Sequence, residues 1–176
     1  KSTVTRGDQL FRQSVRDVAE NNQEIAVKEA YIDAFTRWLV RNPEDRDVVV
    51  LPNMFGDIAT DLASVLQGGM GMSASANMGP KHMLFEPVHG SSPKHAGKNV
   101  VNPIAMIQSV QMMFEALAFR KKHQNLDLCA EILQSAIQKH FEEGGILTYD
   151  LVGPARTSDV GAAIAHRSES MLQTRF

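Results

Sequence analysis

The chain has 176 residues, 43% of them hydrophobic and 22% charged, with a formal net charge of -2, a balance that suits a globular domain able to bury a core and gives no basic surplus for nucleic acid. Its single cysteine, Cys129, excludes an internal disulfide, and no apolar run nears the roughly 20 residues of a membrane-spanning helix. The polar opening KSTVTRGD lacks the features of a signal peptide, so the expected setting is a reducing cytoplasm or organelle matrix, with neither membrane nor nucleic acid as partner.

KSTVT reads as the tail of a strand that opens on Lys1. Behind Asp8, a candidate N-cap, Leu10, Phe11, Val15 and Val18 recur at helical spacing and predict a helix over 8–22. EIAVKEAYI (24–32) alternates as a half-buried strand does, whereas DAFTRWLVRN (33–42) returns to helical period and stops before Pro43. In RDVVVLP (46–52), Val48, Val49, Val50 and Leu51 run together between charged and proline boundaries, the pattern of a buried strand; 54–67 is then helical up to Gly68 and Gly69.

Glycine, serine, asparagine and proline cluster from Gly68 to Asn102, around short extended pieces such as HMLFEPV (82–88). Helices are predicted after Pro103 with a basic final turn, over 126–144, and over 158–172 with Ser158 or Asp159 at its start. Cys129 falls on the apolar face of the second of these and is expected in the core. His82, His123, His140 and His166 show no metal-ligand spacing, and the methionines suit packing gaps. Alternating strand and helix, without repeats or linkers, predicts an α/β fold in one compact unit over 1–176.

Two stretches carry chemistry. FGDIATDLAS (55–64) sets Asp57 and Asp61 on one helical face, where their repulsion needs a cation or water between them. Mg²⁺ or Mn²⁺ would supply that charge. A solvated helix face is the plainer alternative, with Asp57 favoured in a first turn by the helix dipole. FEPVHGSSPKHAGKNVVNP (85–103) brings His89, Gly90, Ser91, Ser92, Lys94, His95 and Asn102 into a loop that Pro87, Pro93 and Gly97 hold in a defined path. Its lysines suit phosphate and His95 suits stacking or hydrogen bonding, although an ordinary surface loop has the same composition. Neither a GxGxxG fingerprint nor a P-loop is present.

In order and spacing, NMFGDIATDLAS, GGMGMSASANMG and FEPVHGSSPKHAGKNVVNP resemble the isocitrate and 3-isopropylmalate dehydrogenase family of metal-dependent, oxidatively decarboxylating enzymes. The likeness extends through LFRQSV, YIDAFTRWLVRNPEDRDVVV and RTSDVGAAI, and corresponds to the C-terminal half of a typical member. It implies the layered α/β fold of that family, without the Rossmann fingerprint. Residues 1–50 would belong to a dimer-forming small domain and 51–176 to a metal- and cofactor-binding large domain.

The resemblance assigns roles residue by residue. Asp57 and Asp61 match the family's metal-binding acids, and Asp33 matches the acid given to the same ion across a homodimer with shared active sites. Lys1 matches the lysine of a proton relay at the substrate hydroxyl. In the cofactor loop, Glu86 would lie toward the nicotinamide ribose, His89, Gly90, Ser91 and Ser92 along the adenosine portion, and Asn102 at adenine. NAD-using members carry Asp at the position of Lys94, and NADP-using members often carry Lys followed by Tyr; Lys94-His95 therefore leans to NADP or dual use.

"FGD" and "EPVHG" look more like isopropylmalate or tartrate than isocitrate dehydrogenases, so the expected substrate is a 2-hydroxy acid, 3-isopropylmalate first. Isocitrate or tartrate dehydrogenase, a noncatalytic subunit and an inactive fragment are the alternatives. The isolated piece, lacking the substrate-binding arginines and relay tyrosine, is expected to turn nothing over.

Overall fold

The computed structural model describes residues 4–175. The chain divides into two units, Lys1–Leu66 and Gln67–Phe176.

Among the described residues the first unit holds three helices, α1 (Thr5–Ala19), α2 (Ile32–Arg41) and α3 (Asn53–Leu66), with a short 3₁₀ turn at Pro43–Asp45. Phe35 and Leu39 of α2 are buried with Ala59 of α3, and Ile32, Leu51, Leu62 and Ala63 close around them. No residue of α1 is buried. Arg12 and Arg16, one helical turn apart on α1, both reach Glu29, each with a guanidinium nitrogen 2.6 Å from a different carboxylate oxygen. This fork ties the irregular 21–31 segment to the helix.

The strands expected over 24–32 and 46–52 do not form, with 24–31 and 46–52 irregular and Ile32 opening α2; of KSTVT, residues 1–3 lie outside the described residues and Thr5 opens α1. The alternation of Ile25, Val27 and Tyr31 and the run Val48–Val50 suit a pleated surface, but a strand exists only where a neighbour completes its ladder. No strand pairs with either segment among the described residues. The side chains remain outside, with Val48 84% exposed.

The second unit is built on a hairpin, β1 (Ala74–Met78) and β2 (Met83–Pro87), and three helices, α4 (Ile104–Lys121), α5 (Gln124–Glu142) and α6 (Thr157–Gln173). The strands are antiparallel, in register from Ala74 opposite Pro87 to Met78 opposite Met83. Met83, Phe85 and Pro87 are half-buried while Leu84 and Glu86 face out, the period-two pattern of a sheet covered on one face. Helix α4 packs against both strands and α5, and α5 against α6. Met72, Ile104, Ala136, Ile137, Val160 and Ile164 form the core, and burying Ile104 and Ile164 contributes roughly 1.5–3 kcal/mol each.

Two details differ from expectation. Cys129 is exposed. The buried face of α5 runs through Ala130, Ile132, Ala136, Ile137 and His140, and Cys129, about 100° around the helix from Ala130, is turned away from it. The N-cap of α6 is Arg156, not Ser158 or Asp159: the Asp159 carboxylate, in the first turn, accepts the Arg156 backbone N–H at 3.0 Å. As for the histidines, His140 is buried with Nε2 2.9 Å from the Ile146 carbonyl oxygen.

Candidate functional site

Asp57 and Asp61 lie on α3 with both side chains exposed. Ala59, Leu62 and Ala63 pack toward α2, which leaves the acids on the outer part of the helix. Their backbone carbonyls take part in local hydrogen bonds: that of Asp57 accepts from Thr60 Oγ1 at 3.2 Å, and that of Asp61 from Ser64 Oγ at 2.8 Å. No salt bridge engages either carboxylate among the described residues. Two hard oxygen donors one helical turn apart, without a compensating cation, fit Mg²⁺ or Mn²⁺.

Asp33 stands in the first turn of α2 and is also exposed. Among the described residues no three Asp, Glu, His or Cys side chains gather closely enough to hold a metal ion. The chain by itself therefore presents a pair of acids rather than a three-acid site. Lys1 lies outside the described residues.

The cofactor-loop candidates all fall in the second unit. Glu86 faces outward from β2, and its Oε1 accepts a 3.3 Å hydrogen bond from Asn77 Nδ2. His89 Nδ1 lies 2.9 Å from the Gly90 carbonyl oxygen. Ser92 adopts φ 47°, Gly97 φ 74° and Asn99 φ 55°, left-handed conformations that Gly and Asn accept at low cost and Ser less readily. These reversals frame a 3₁₀ turn, Pro93–His95, that carries Lys94 outward. Ser92 Oγ lies 2.9 Å from His95 Nδ1, and the His95 ring stacks on Tyr149 at 5.7 Å between centroids and 24° between planes.

Asn102 is the one loop candidate that is buried, at 8% exposure. Its Oδ1 accepts the Ile104 N–H at 3.0 Å, and its Nδ2 donates to Asp150 Oδ2 at 3.1 Å and meets Met72 Sδ at 3.5 Å. Both ends of the amide are thereby committed inward.

The segment from Thr148 to Ser158 fastens this loop; the sequence marked only its end, through RTSDVGAAI and the helix start at Ser158, and gave no sign of a tie to the loop. Tyr149 meets His95 and Asp150 meets Asn102. Thr157 Oγ1 donates to the Val101 carbonyl oxygen at 2.5 Å, and the Thr157 N–H donates to that of Asn99 at 3.0 Å. Asn99 then reaches Ser158 with both ends of its side chain. The residue types gave a signal, since Tyr, Asp and Asn suit hydrogen bonding, but the pairings span 48 to 59 residues and have no local spacing.

Two surface pockets lie elsewhere. One of about 580 Å³ runs beside Arg6, Arg12 and Arg16 of α1, and another of about 230 Å³ is lined by Gln67, Met72, Gln108 and Gln134. Neither is lined by Asp57, Asp61 or any residue of the 86–102 loop. Carboxylates on an open helix and a loop that presents its backbone need no deep concavity within one chain.

The chain belongs to the isocitrate/isopropylmalate dehydrogenase family, whose pattern it matches over residues 1–164. It is 38% identical over 168 residues to 3-isopropylmalate dehydrogenase of Methanothermobacter thermautotrophicus, covering 96% of this chain and 49% of that protein. It is 39% identical over 160 residues to the probable isocitrate dehydrogenase (NAD) subunit alpha, mitochondrial, of Drosophila melanogaster, covering 90% of this chain and 41% of that one.

Among solved structures, a beta-decarboxylating dehydrogenase from Thermococcus kodakarensis in its apo form superposes with a TM-score of 0.83 at 41% identity, over 98% of this chain and 49% of that one. The fold is thus the layered α/β fold of this family, as the resemblance implied. The chain spans about half the length of the curated relatives it matches. No helix among the described residues is long and apolar enough to cross a membrane.

Proposed function

We propose that this chain is the metal- and cofactor-binding part of a dehydrogenase that oxidises and decarboxylates a 2-hydroxy dicarboxylic acid, 3-isopropylmalate first. The observation that carries the reading is the exposed Asp57–Asp61 pair, two carboxylates one helical turn apart with no ion pair among the described residues. Residues 1–50 fall to a dimer-forming small domain and 51–176 to a large domain. Asp57 and Asp61 hold Mg²⁺ or Mn²⁺ together with Asp33 of the partner subunit, which makes a homodimer the working unit. When bound, the ion supplies positive charge to the substrate's oxygens and to the charge left by the departing carboxylate, and the dinucleotide accepts hydride.

The protein's own groups do the rest. Lys1 handles the proton of the substrate hydroxyl. Glu86 faces the nicotinamide ribose, and His89, Gly90, Ser91 and Ser92 line the adenosine portion, where small side chains admit the ligand to backbone N–H groups. Asn102 meets adenine through its backbone, because its side-chain amide is spent on Ile104, Asp150 and Met72. Lys94 replaces the carboxylate that would accept a ribose diol with a cation that suits a 2'-phosphate, and His95, held flat on Tyr149, stands beside it. That supports NADP or dual use.

Isocitrate is the second substrate reading, favoured by the likeness to the mitochondrial alpha subunit. The deciding experiment takes the polypeptide that carries this segment at its natural length and crosses isopropylmalate, isocitrate, tartrate and malate with NAD and NADP, with and without Mg²⁺ or Mn²⁺. Metal-dependent reduction with isopropylmalate is expected. Indifference to all four acids rejects the enzyme reading.

A further inference from the structure

We propose that Asp150 is a positioning residue for dinucleotide binding, acting through Asn102 to set the loop that ends at α4. The inference rests on the dinucleotide reading above and adds a residue to it.

Asp150 sits in the 3₁₀ turn Tyr149–Leu151. Its Oδ1 accepts from Thr148 Oγ1 at 2.5 Å and its Oδ2 from Asn102 Nδ2 at 3.1 Å. Thr148 is 1% exposed, so the hydroxyl that orients the carboxylate is anchored inside the unit. Asn102 passes that orientation on. With Nδ2 held by Asp150, its Oδ1 is left pointing at the Ile104 N–H, one of the amides that opens α4. The chain Thr148, Asp150, Asn102, Ile104 thus couples two segments 48 residues apart and fixes the peptide at which the loop enters the helix.

Gly71 supplies an independent sign that the pair is built in. A Cβ at that position would lie 2.7 Å from Asp150 Oδ2 and 2.9 Å from Asn102 Cβ, and its φ is not positive. Backbone freedom therefore does not require glycine here. Room for the Asp150–Asn102 pair does. Asp150 itself is exposed, so its carboxylate works as a bracket rather than as packing.

The test uses Asp150→Ala, Asp150→Asn and Gly71→Ala in the polypeptide of natural length. Its readouts are calorimetric Kd for NAD and NADP, kcat, both KM values, and amide exchange at Ile104, Ile137 and Ile164. Loss of one charge-assisted hydrogen bond leads to an expected rise of about tenfold in dinucleotide Kd and KM for D150A, with kcat and the hydroxy-acid KM within about twofold. D150N keeps an acceptor for Asn102 and restores binding to within about threefold. G71A behaves as D150A does. Ile104 exchange speeds up in D150A while Ile137 and Ile164 stay protected, which separates a loosened loop from a weakened core.

Dinucleotide Kd unchanged in D150A overturns the inference, as does a D150N variant as impaired as D150A. A loss confined to kcat does so too. If the unsubstituted polypeptide binds neither NAD nor NADP, the dinucleotide reading falls and this inference with it. Binding that D150A leaves intact removes the inference alone.

Discussion

Asn99 closes the amino end of α6 from 59 residues earlier in the chain: its Oδ1 accepts the Ser158 N–H at 3.0 Å and its Nδ2 donates to Ser158 Oγ at 2.9 Å. The first amides of a helix have no partner within it, and here the 85–103 loop provides one. Removing this cap by Asn99→Gly, which accepts the residue's φ of 55°, is expected to lower stability by about 1 kcal/mol. Asn99→Ala adds the strain of a left-handed non-glycine residue, for roughly 1–2 kcal/mol more. Chemical denaturation of both variants measures the difference.

Glu29 carries a pH signature. Hydrogen bonding to Arg12 foremost, with Arg16 and the charges of both arginines, holds its carboxyl below the ordinary value of 4.5 against the opposing effect of burial. A depressed carboxylate stabilises the folded state above its unfolded value and loses that contribution as pH falls through the folded one. The tie between α1 and 21–31 should therefore persist at pH 5 and above and weaken below about 4.5. Carbon-detected NMR titration reads it directly: Arg12→Ala should move the Glu29 midpoint upward. An unmoved midpoint would reject the fork as its cause.

Replacing either Asp57 or Asp61 with Asn removes one hard anionic donor and keeps the helix, since neither side chain packs in the core. Mn²⁺ affinity of the natural-length polypeptide is expected to fall at least about tenfold in each variant, with thermal stability nearly unchanged. Electron paramagnetic resonance of free Mn²⁺ gives the affinity. Equal Mn²⁺ binding in the double variant would return the pair to the status of a solvated helix face.

Lys94→Asp, on the outward turn Pro93–His95, exchanges the cation proposed to meet a 2'-phosphate for a carboxylate able to accept a ribose diol. The ratio of kcat/KM for NADP to that for NAD should drop by roughly one to two orders of magnitude, the scale of a single charge-assisted hydrogen bond at a binding site. A ratio that does not move would break the link between this loop and cofactor choice.

Ile164, 1% exposed on α6, meets the α4 and α5 core. Ile164→Ala is expected to cost about 2–5 kcal/mol, visible as a lowered urea midpoint. A loss under about 1 kcal/mol would mean that the three-helix core collapses around the gap.

The helices were legible because a 3.6-residue period is a property of a single segment. The helix predicted over 33–42 is observed at Ile32–Arg41, and the one before Gly68 at Asn53–Leu66. Strands were legible only in part: the extended piece expected over 82–88 is observed as β2, Met83–Pro87, whereas Val48–Val50 looks the same whether or not a neighbour completes its ladder. Cys129 failed by one residue of helical phase. In the loop, the kinds of residue were readable and their wiring was not: nothing near Asn102 in sequence announces Asp150 or explains Gly71. Those relationships exist only once the hairpin and the 148–158 segment come together.

Val48, Val49 and Val50 stand exposed, with no strand paired to their backbone among the described residues. Three β-branched residues in a row are a ready template for intermolecular sheet, and the charges at Arg46 and Asp47 guard only one end. For these 176 residues alone, concentration-dependent self-association is the expected outcome, and light scattering that Val48→Lys leaves unchanged would rule out this segment as its origin. A single lysine at Val48, the outermost of the three, is the change that would keep such solutions clear without touching the acids of α3.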